Sequence, residues 1–248
     1  TEPGVITEVL QDAVKEKGLF YPPDPSSRGT CFIGGNVAEN SGGPKAVKYG
    51  VVKDYVLNLE MVLPTGEIIW TGANVLKNAT GYNLTQLVVG SEGTLGIVTK
   101  VVLKLIPLPK YDLLMLVPFR SAEKACAAVS AIFMAGYTPS ALEFMERDAL
   151  EWVSRFMDST TVVIEDDIKA HLLIETDGNN MDVLMQEMEG IAAIVSELED
   201  ADAEQSWTRR RNARAFEGKS GTDSRDVRSA DASVAGVCWL GGRWRSCH

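Results

Sequence analysis

The sequence has few of the residues that carry metal and hydrolytic chemistry. Its 248 residues include two histidines, His171 and His248, and four cysteines without a Cys-x-x-Cys pair. Because the spacing of histidine and cysteine identifies most zinc sites, we expect no metal site. A Gly-x-Gly-x-x-Gly fingerprint is also absent, which argues against a Rossmann-type dinucleotide site. No apolar run approaches the roughly 18 residues that a membrane helix needs.

The cysteines and the first residues bear on the location of the protein. Cys31, Cys126, Cys238 and Cys247 lie far apart in the sequence, which fits a reducing compartment better than a disulfide framework. The segment that begins at Thr1 lacks the basic and apolar stretches of a secretory signal. We therefore predict a cytoplasmic protein.

The distribution of charge argues against polyanionic partners. The net charge is −10, in a chain whose 45% apolar and 23% charged residues are typical of globular proteins. Residues 207–248 contain nine Lys and Arg against four Asp and Glu, so the acidic charge is concentrated in residues 1–206. An acidic body repels nucleic acid and anionic membranes. We predict no nucleic-acid partner and at most a peripheral association with a membrane.

The first 110 residues combine short regular elements with irregular segments. Ile6, Leu10 and Val14, joined by Val9 and Ala13, predict an amphipathic helix over residues 5–17. The three prolines within residues 22–25 predict a fixed, extended loop. Further elements are strands over residues 56–63, 68–70 and 97–106, and one or two helical turns over residues 83–88.

Two glycine-rich segments lie among these elements. Six glycines fall within residues 29–50, and residues 90–96 form a second glycine-rich loop. Glycine at this density weakens a regular element, but it lets backbone amides approach a phosphate without interference from Cβ. The segments indicate phosphate or cofactor binding, and tight turns alone are the alternative explanation.

After Pro109 the sequence alternates between strand and helix patterns. The predicted strands cover residues 113–117, 141–144 and 171–174, and the predicted helices cover residues 121–136, 147–157 and 182–198. This order predicts an α+β domain with its helices on one face of a sheet, and a domain boundary near residue 110. His171 lies in the last of these strands, where a core residue with satisfied hydrogen bonds is favoured over a catalytic base.

Four motifs carry a resemblance to a known family. Residues 22–27, 34–43, 48–50 and 90–99 occur in the order and spacing of the FAD-linked oxidases, the superfamily of vanillyl-alcohol oxidase and p-cresol methylhydroxylase. Within it, residues 1 to about 210 most resemble the D subunits of glycolate oxidase and the FAD-dependent D-lactate dehydrogenases. The resemblance implies that FAD is the cofactor.

The same resemblance implies the fold class and the domains. The implied fold class is α+β. Residues 1–110 would be the C-terminal part of an FAD-binding domain of the p-cresol methylhydroxylase type. Residues 111–216 would be a partial ferredoxin-like α+β cap domain. Residues 217–248 would form an aberrant and poorly ordered tail.

The resemblance also implies the residues of the cofactor site. The proline-rich loop would meet the pyrophosphate and the flavin, the first glycine-rich segment would present backbone amides, and the second would hold the adenosine half. The implied residues are Pro23, Asp24, Pro25, Ser26, Ser27, Thr30, Gly34, Gly35, Asn36, Glu39, Asn40, Ser41, Gly42, Gly43, Tyr49, Gly50, Glu92, Gly93, Thr94, Leu95, Gly96, Ile97 and Val98.

The implied function is that of an FAD-dependent dehydrogenase of small D-2-hydroxy acids such as glycolate or D-lactate, with hydride transfer to the flavin. Such an enzyme needs a cation for the substrate carboxylate. Arg210, in a Trp-x-x-Arg sequence, is the candidate, and an exposed charge is the equal alternative. No catalytic base is assignable. The alternative function is an inactive FAD-binding fragment or a non-catalytic subunit, and partner subunits and a homo-oligomer are both open.

The resemblance has limits at both ends of the chain. The family's cofactor domain opens with a glycine-rich pyrophosphate loop, which does not precede Thr1, and its histidine-rich stretch does not follow Arg210. We expect the resemblance to stop near residue 212. A reading-frame change or a divergent tail would each account for the basic segment that follows.

Overall fold

A computed structural model describes residues 1–156, 166–199, 206–211, 237–240 and 243–246 of the chain. The chain divides into two compact units, Thr1–Leu108 and Pro109–His248, here called the N-terminal unit and the C-terminal unit. Within the described residues, no helix is both long enough and apolar enough to cross a membrane.

The N-terminal unit contains a three-stranded antiparallel sheet and short helices. Its elements are α1 (Thr7–Lys15), β1 (Leu19–Phe20), α2 (Ile33–Glu39), α3 (Ala46–Tyr49), a 3-10 turn (Val52–Asp54), β2 (Val56–Val62), β3 (Ile68–Trp70), α4 (Leu84–Val88), β4 (Ile97–Leu103) and β5 (Ile106–Pro107). The sheet has the order β3-β2-β4, and β1 pairs separately with β5. The predicted strands β2 and β3 and the predicted turns of α4 are confirmed.

The core of this unit fixes α2 in place. Its buried residues come from α1, α2, α4, β2 and β4 and from the loops that join them. Ile33 and Val37 of α2 and Leu59 of β2 are fully buried. Because α2 is anchored by its buried side chains, the loops attached to its ends start from fixed positions.

The buried face of α1 differs from the predicted one. Thr7, Gln11 and Val14 are its buried residues, whereas Val9 is 58% exposed and Ala13 is also exposed. The prediction that Val9 and Ala13 lie on the buried face is wrong. The physical reason is that the two polar residues hydrogen-bond backbone carbonyls of the following loop, which turns the helix toward that loop.

Two further elements differ from the prediction. The first glycine-rich segment forms the helices α2 and α3, although its glycine content argued against regular structure. Gly34 is accommodated because its Cα lies against Pro3, whose carbonyl accepts the Gly34 amide at 2.8 Å. The strand predicted over residues 97–106 ends at Leu103, and Ile106–Pro107 pairs with β1 instead.

The C-terminal unit has a four-stranded antiparallel sheet. Its elements are β6 (Tyr111–Phe119), α5 (Ala122–Met134), β7 (Ala141–Glu146), α6 (Arg147–Phe156), β8 (Ala170–Gly178), α7 (Met181–Glu199) and β9 (Ser206–Arg211). The strand order is β7-β8-β6-β9. With α5 and α7 as the crossover helices and α6 added between β7 and β8, this is the ferredoxin-like arrangement, so the predicted α+β cap fold is confirmed.

Helices α5 and α7 cover one face of this sheet, as predicted. The Ser121 hydroxyl caps α5 by accepting the Lys124 amide at 3.3 Å. Leu113, Met115 and Val117 alternate along β6 and pack in one core with residues of β8, α5 and α7. This alternation is the period-two burial of a strand with one covered face.

The predicted tail, residues 217–248, lies outside the described residues apart from two strands. β10 (Val237–Leu240) and β11 (Arg243–Ser246) pair antiparallel, with Val237 opposite Ser246.

Candidate functional site

Three loops of the N-terminal unit meet around α2. We call residues 22–31 the proline loop, residues 40–45 the first glycine loop and residues 90–96 the second glycine loop. The Gly90 amide donates to the Val37 carbonyl at 2.9 Å, and the Glu92 amide donates to the Ala38 carbonyl at 2.9 Å. These bonds satisfy carbonyls at the C-terminal end of α2 and fix the second glycine loop against it.

The proline loop and the first glycine loop touch at Asp24 and Gly43. A Cβ atom on Gly43 would collide with the carbonyl group and the carboxylate of Asp24. The Lys45 amide donates to Asp24 Oδ1 at 3.5 Å. The close approach therefore requires glycine at position 43, as the motif predicted, and its contact is with the protein's own backbone.

Asn40 joins the first glycine loop to its neighbours. Its backbone is left-handed, with φ 53°, and ends α2. Its Oδ1 accepts the Lys53 amide at 2.9 Å, and its Cβ lies 3.3 Å from where a Cβ on Gly90 would stand. Ser41 continues the connection, because its amide donates to the Asn36 carbonyl at 3.0 Å.

Tyr49 and Gly50 are held by the turn that follows them. The Tyr55 hydroxyl donates to the Tyr49 carbonyl at 2.8 Å, and burial, together with the charge of Asp54, raises the pKa of Tyr55 to about 12. Gly50 has φ 80°, and a Cβ there would collide with Asp54, which accepts the Val51 amide. Tyr55 therefore stays a neutral donor at physiological pH.

The proline loop is compact and partly exposed. The Arg28 amide donates to the Pro25 carbonyl, and the amides of Thr30 and Cys31 donate to the Ser27 carbonyl, all at 2.8 Å. The loop's first predicted residue, Pro23, is buried, Asp24 and Pro25 are half-buried, and its hydroxyl residues Ser26, Ser27 and Thr30 are exposed.

Asn36 faces the protein interior. It is 4% exposed, and its Nδ2 donates to Thr7 Oγ1 at 2.7 Å. Glu39, the last residue of α2, is exposed. The side-chain amide of Asn36 thus links α2 to α1.

The glycines of the site fall into two groups. A Cβ would meet protein atoms at Gly34, Gly43, Gly50 and Gly96; at Gly96 the obstacles are Met61 and the Val62 carbonyl. By contrast, a Cβ at Gly35 or Gly93 would meet nothing within 4 Å. Packing therefore explains the first group, and it leaves Gly35 and Gly93 facing open space.

Each of the two glycine loops has a backbone amide that is available as a hydrogen-bond donor. Among the described residues, no acceptor is bonded to the amides of Gly42 and Gly93. Glu92 and Gly93 both have positive φ, 53° and 75°. Backbone amides that have no acceptor in the described part of the protein are donors that a phosphate or a flavin ring can use.

The outer side of the second glycine loop is apolar. Leu95 is 39% exposed and Ile97 is 71% exposed, while Val98 is half-buried. The Thr94 hydroxyl is turned inward and donates to the Ser91 carbonyl at 2.6 Å. This loop thus offers apolar side chains and a backbone amide, and its one threonine hydroxyl is used within the loop.

Arg210 lies in the C-terminal unit, on β9. In the backbone register it is paired with Asp112 of β6, which in turn is paired with Asp177 of β8. Asp177 is 6% exposed. Among the described residues there is no cluster of His, Cys, Asp and Glu that could hold a metal ion.

His171 is buried on β8, as predicted, but its hydrogen bonding is incomplete. It is 3% exposed, and its Nδ1 has no hydrogen-bond partner in the described part of the chain. Burial lowers the pKa of His171. A buried imidazole has no access to a substrate proton, so the structure supports a core position and not a base.

The sequence analysis missed Gln11, which holds the start of the proline loop. Its Nε2 donates to the carbonyls of Pro23 at 2.9 Å and Tyr21 at 3.3 Å. The available signal was a polar pair, Thr7 and Gln11, spaced one helical turn apart in an otherwise amphipathic helix.

Two family models match the chain. Residues 1–72 match the FAD binding domain, and residues 108–235 match the C-terminal domain of FAD linked oxidases. The second match extends past residue 212, near which the resemblance was expected to stop.

Named relatives agree with the family models. The chain is 46% identical to glycolate oxidase subunit GlcD of Bacillus subtilis, over 78% of this chain and 40% of the relative. It is 42% identical to D-lactate dehydrogenase of Anaerostipes hadrus, over 78% and 41%, and 36% identical to GlcD of Escherichia coli K12, over 86% and 43%. The chain spans about two fifths of the length of these relatives.

Solved structures with this fold are also known. Alkyldihydroxyacetonephosphate synthase aligns with a TM-score of 0.69 at 22% identity, over 84% of this chain and 40% of that one. At this identity the likeness shows the fold alone. The matches to both domain models show that the chain belongs to the FAD-linked oxidases, whose cofactor is FAD.

Proposed function

We propose that this chain is part of an FAD-dependent oxidoreductase that acts on small D-2-hydroxy acids such as glycolate or D-lactate. In this proposal the N-terminal unit binds FAD and the C-terminal unit is the cap domain that contacts the substrate. The relatives named glycolate oxidase subunit and D-lactate dehydrogenase support this substrate class. The name of the former also supports partner subunits for this chain.

The observation that carries the proposal is the pair of open glycines. Gly35 and Gly93 face space that no described atom fills within 4 Å of a Cβ position. Glycine within a helix costs about 1 kcal/mol relative to alanine, and at Gly35 no packing contact of the protein accounts for that cost. A bound cofactor that approaches the backbone does account for it.

The residues around this space have the chemistry that FAD requires. The amides of Gly42 and Gly93 would donate to phosphate or flavin oxygens, and the exposed hydroxyl of Ser27 can donate as well, whereas the Thr30 hydroxyl donates to the Ser27 carbonyl at 3.2 Å. Leu95 and Ile97 would cover apolar parts of the cofactor. FAD bound there would accept the hydride from the α-carbon of the substrate.

Arg210 is the proposed carboxylate-binding residue. A guanidinium binds a carboxylate through two parallel hydrogen bonds. In the backbone register Arg210 is paired with Asp112 on the adjacent strand.

A non-catalytic role is the second candidate, and His171 favours it. The described residues include one histidine, which is buried and whose Nδ1 has no hydrogen-bond partner there. A base would then have to come from elsewhere, because general-base catalysis typically contributes about 10²–10⁴-fold.

Substitution of the open glycine Gly93, measured by FAD titration, tests the cofactor site. Gly93→Val should abolish FAD binding, because its side chain fills the open space. Gly66→Val is the matched control: Gly66 has φ 84° and an equally open Cα, but it lies in the turn between β2 and β3. Loss of FAD in Gly93→Val alone supports the site, and equal affinities in both variants would refute it.

A further inference from the structure

The buried face of α1 is polar where an apolar face is expected. Thr7 is fully buried and Gln11 is 4% exposed. A helix normally buries apolar side chains, and a buried polar side chain is destabilising unless it is hydrogen-bonded. Both residues donate hydrogen bonds to one segment, the proline loop and the residue before it, and the Thr7 hydroxyl also accepts the Asn36 side-chain amide.

Gln11 holds the beginning of that segment through hydrogen bonds from its side-chain amide to two backbone carbonyls. Tyr21, Pro22 and Pro23 are buried, and the two prolines have no amide hydrogen, so their backbone is held only through carbonyls. The Gln11 side-chain amide has two N–H hydrogens. It donates to the carbonyls of Tyr21 and Pro23, two residues apart.

The N-terminal turn of α1 holds the other end of the proline loop. The Thr7 amide donates to the Cys31 carbonyl at 3.0 Å, and the Thr7 hydroxyl donates to the same carbonyl at 3.3 Å. The Glu8 amide donates to the Arg28 carbonyl at 3.0 Å. Both ends of the proline loop are therefore hydrogen-bonded to α1.

A displacement of the Pro23 backbone would also displace the first glycine loop. Asp24 follows Pro23 in the chain and is in close backbone contact with Gly43. Gly43 belongs to the first glycine loop, which carries the open amide of Gly42. The path from Gln11 to this loop thus passes through one carbonyl and one backbone contact.

We propose that Gln11 is a positioning residue of the flavin site, which sets the proline loop against the first glycine loop by donating to the carbonyls of Tyr21 and Pro23. The inference rests on the proposed function, because it presumes that FAD binds between these loops. Gln11 itself is buried, so it would act on the cofactor through the loop and not by direct contact.

The experiment compares Gln11→Met with Val14→Ala in the 248-residue chain. Methionine keeps the volume of glutamine and removes both donors. Val14 lies on the same buried face of α1 and makes apolar contacts, so Val14→Ala loosens the core and leaves the loop carbonyls bonded. We would measure the FAD dissociation constant, the visible circular dichroism of bound FAD at saturation, and the melting temperature without FAD.

We expect Gln11→Met to weaken FAD binding by at least about tenfold, because the proline loop would then adopt its binding-competent position in only about a tenth of the molecules, and to alter the dichroism of the FAD that still binds. Amide hydrogen exchange at Arg28 and Cys31 should accelerate without FAD. Val14→Ala should lower the melting temperature with an FAD affinity within about twofold of the native value. If Gln11→Met does not fold, Gln11→Asn, one methylene shorter, takes its place under the same criteria.

The outcomes separate this inference from the function on which it rests. Native affinity and dichroism in Gln11→Met, or a loss of affinity equal to that of Val14→Ala, would overturn the positioning role while FAD binding by the native chain stands. Absence of FAD binding in the native chain would overturn the proposed function, and the role of Gln11 with it.

Discussion

Gly43 and Asp24 are in contact through their backbones, and no larger residue fits at position 43. This contact joins two segments that are 19 positions apart in sequence into one surface. The Lys45 amide, which donates to Asp24 Oδ1 at 3.5 Å, supports the same junction.

Replacement of Gly43 should therefore separate the two loops. We expect Gly43→Ala to destabilise the N-terminal unit by about 1–3 kcal/mol, the usual cost of overpacking, and to weaken FAD binding. Gly4→Ala, at an exposed glycine with open space around its Cα, should be neutral. Urea unfolding and FAD titration measure both effects; unchanged stability in Gly43→Ala would mean that the contact is not tight.

Gly35→Ala separates folding from cofactor binding. Alanine is the better helix former, and nothing within 4 Å obstructs its Cβ. We expect the cofactor-free protein to become more stable by up to about 1 kcal/mol and the FAD affinity to fall. A variant that gains stability and retains native FAD affinity would show that FAD does not approach α2 at this residue.

Substitution of Arg210 tests the carboxylate-binding role. Arg210→Lys keeps the charge but loses the bidentate geometry, so we expect a higher KM for the hydroxy acid, by about tenfold or more, with the flavin spectrum unchanged. Arg209→Lys is the neighbouring control. Equal effects of the two substitutions on KM would show that Arg210 has no specific role in binding the carboxylate.

The buried His171 should make folding stability depend on pH. Burial lowers its pKa, so the neutral form is favoured in the folded protein, while the unfolded chain binds a proton below about pH 6.5. Its contribution to stability is complete above that pH and is lost as the pH falls below it. Unfolding free energies of the native protein and His171→Gln, compared between about pH 7.5 and about pH 5.5, should converge toward the acid end; parallel curves would contradict this.

The sequence predicted the elements with clear local signals. Residues 56–70 alternate around a turn, and Ser121 precedes an apolar helix, so β2, β3 and α5 lie where expected. The helix α2 was not predicted, because glycine disfavours helices locally and the compensating contacts come from distant residues such as Pro3. The polar face of α1 was missed for the same reason: the carbonyls that bind Gln11 are specified by the fold and not by the local pattern.

The sequence singled out the glycines of the candidate site, but it did not show which of them the protein's own packing requires. The motif residues do gather around α2, but Gly34, Gly50 and Gly96 are explained by contacts within the protein. Only the three-dimensional arrangement distinguishes them from Gly35 and Gly93. The roles of the individual site residues toward FAD stay predictions.

The most direct measurement mixes the FAD-loaded chain anaerobically with D-lactate, glycolate or L-lactate and follows the visible absorbance of the oxidised flavin. Our account predicts that the flavin is bleached by D-lactate or glycolate, that L-lactate leaves it oxidised, and that Gly93→Val shows no bleaching because it holds no FAD. Bound flavin that stays oxidised with both D-lactate and glycolate would contradict the proposed oxidoreductase activity and favour the non-catalytic role.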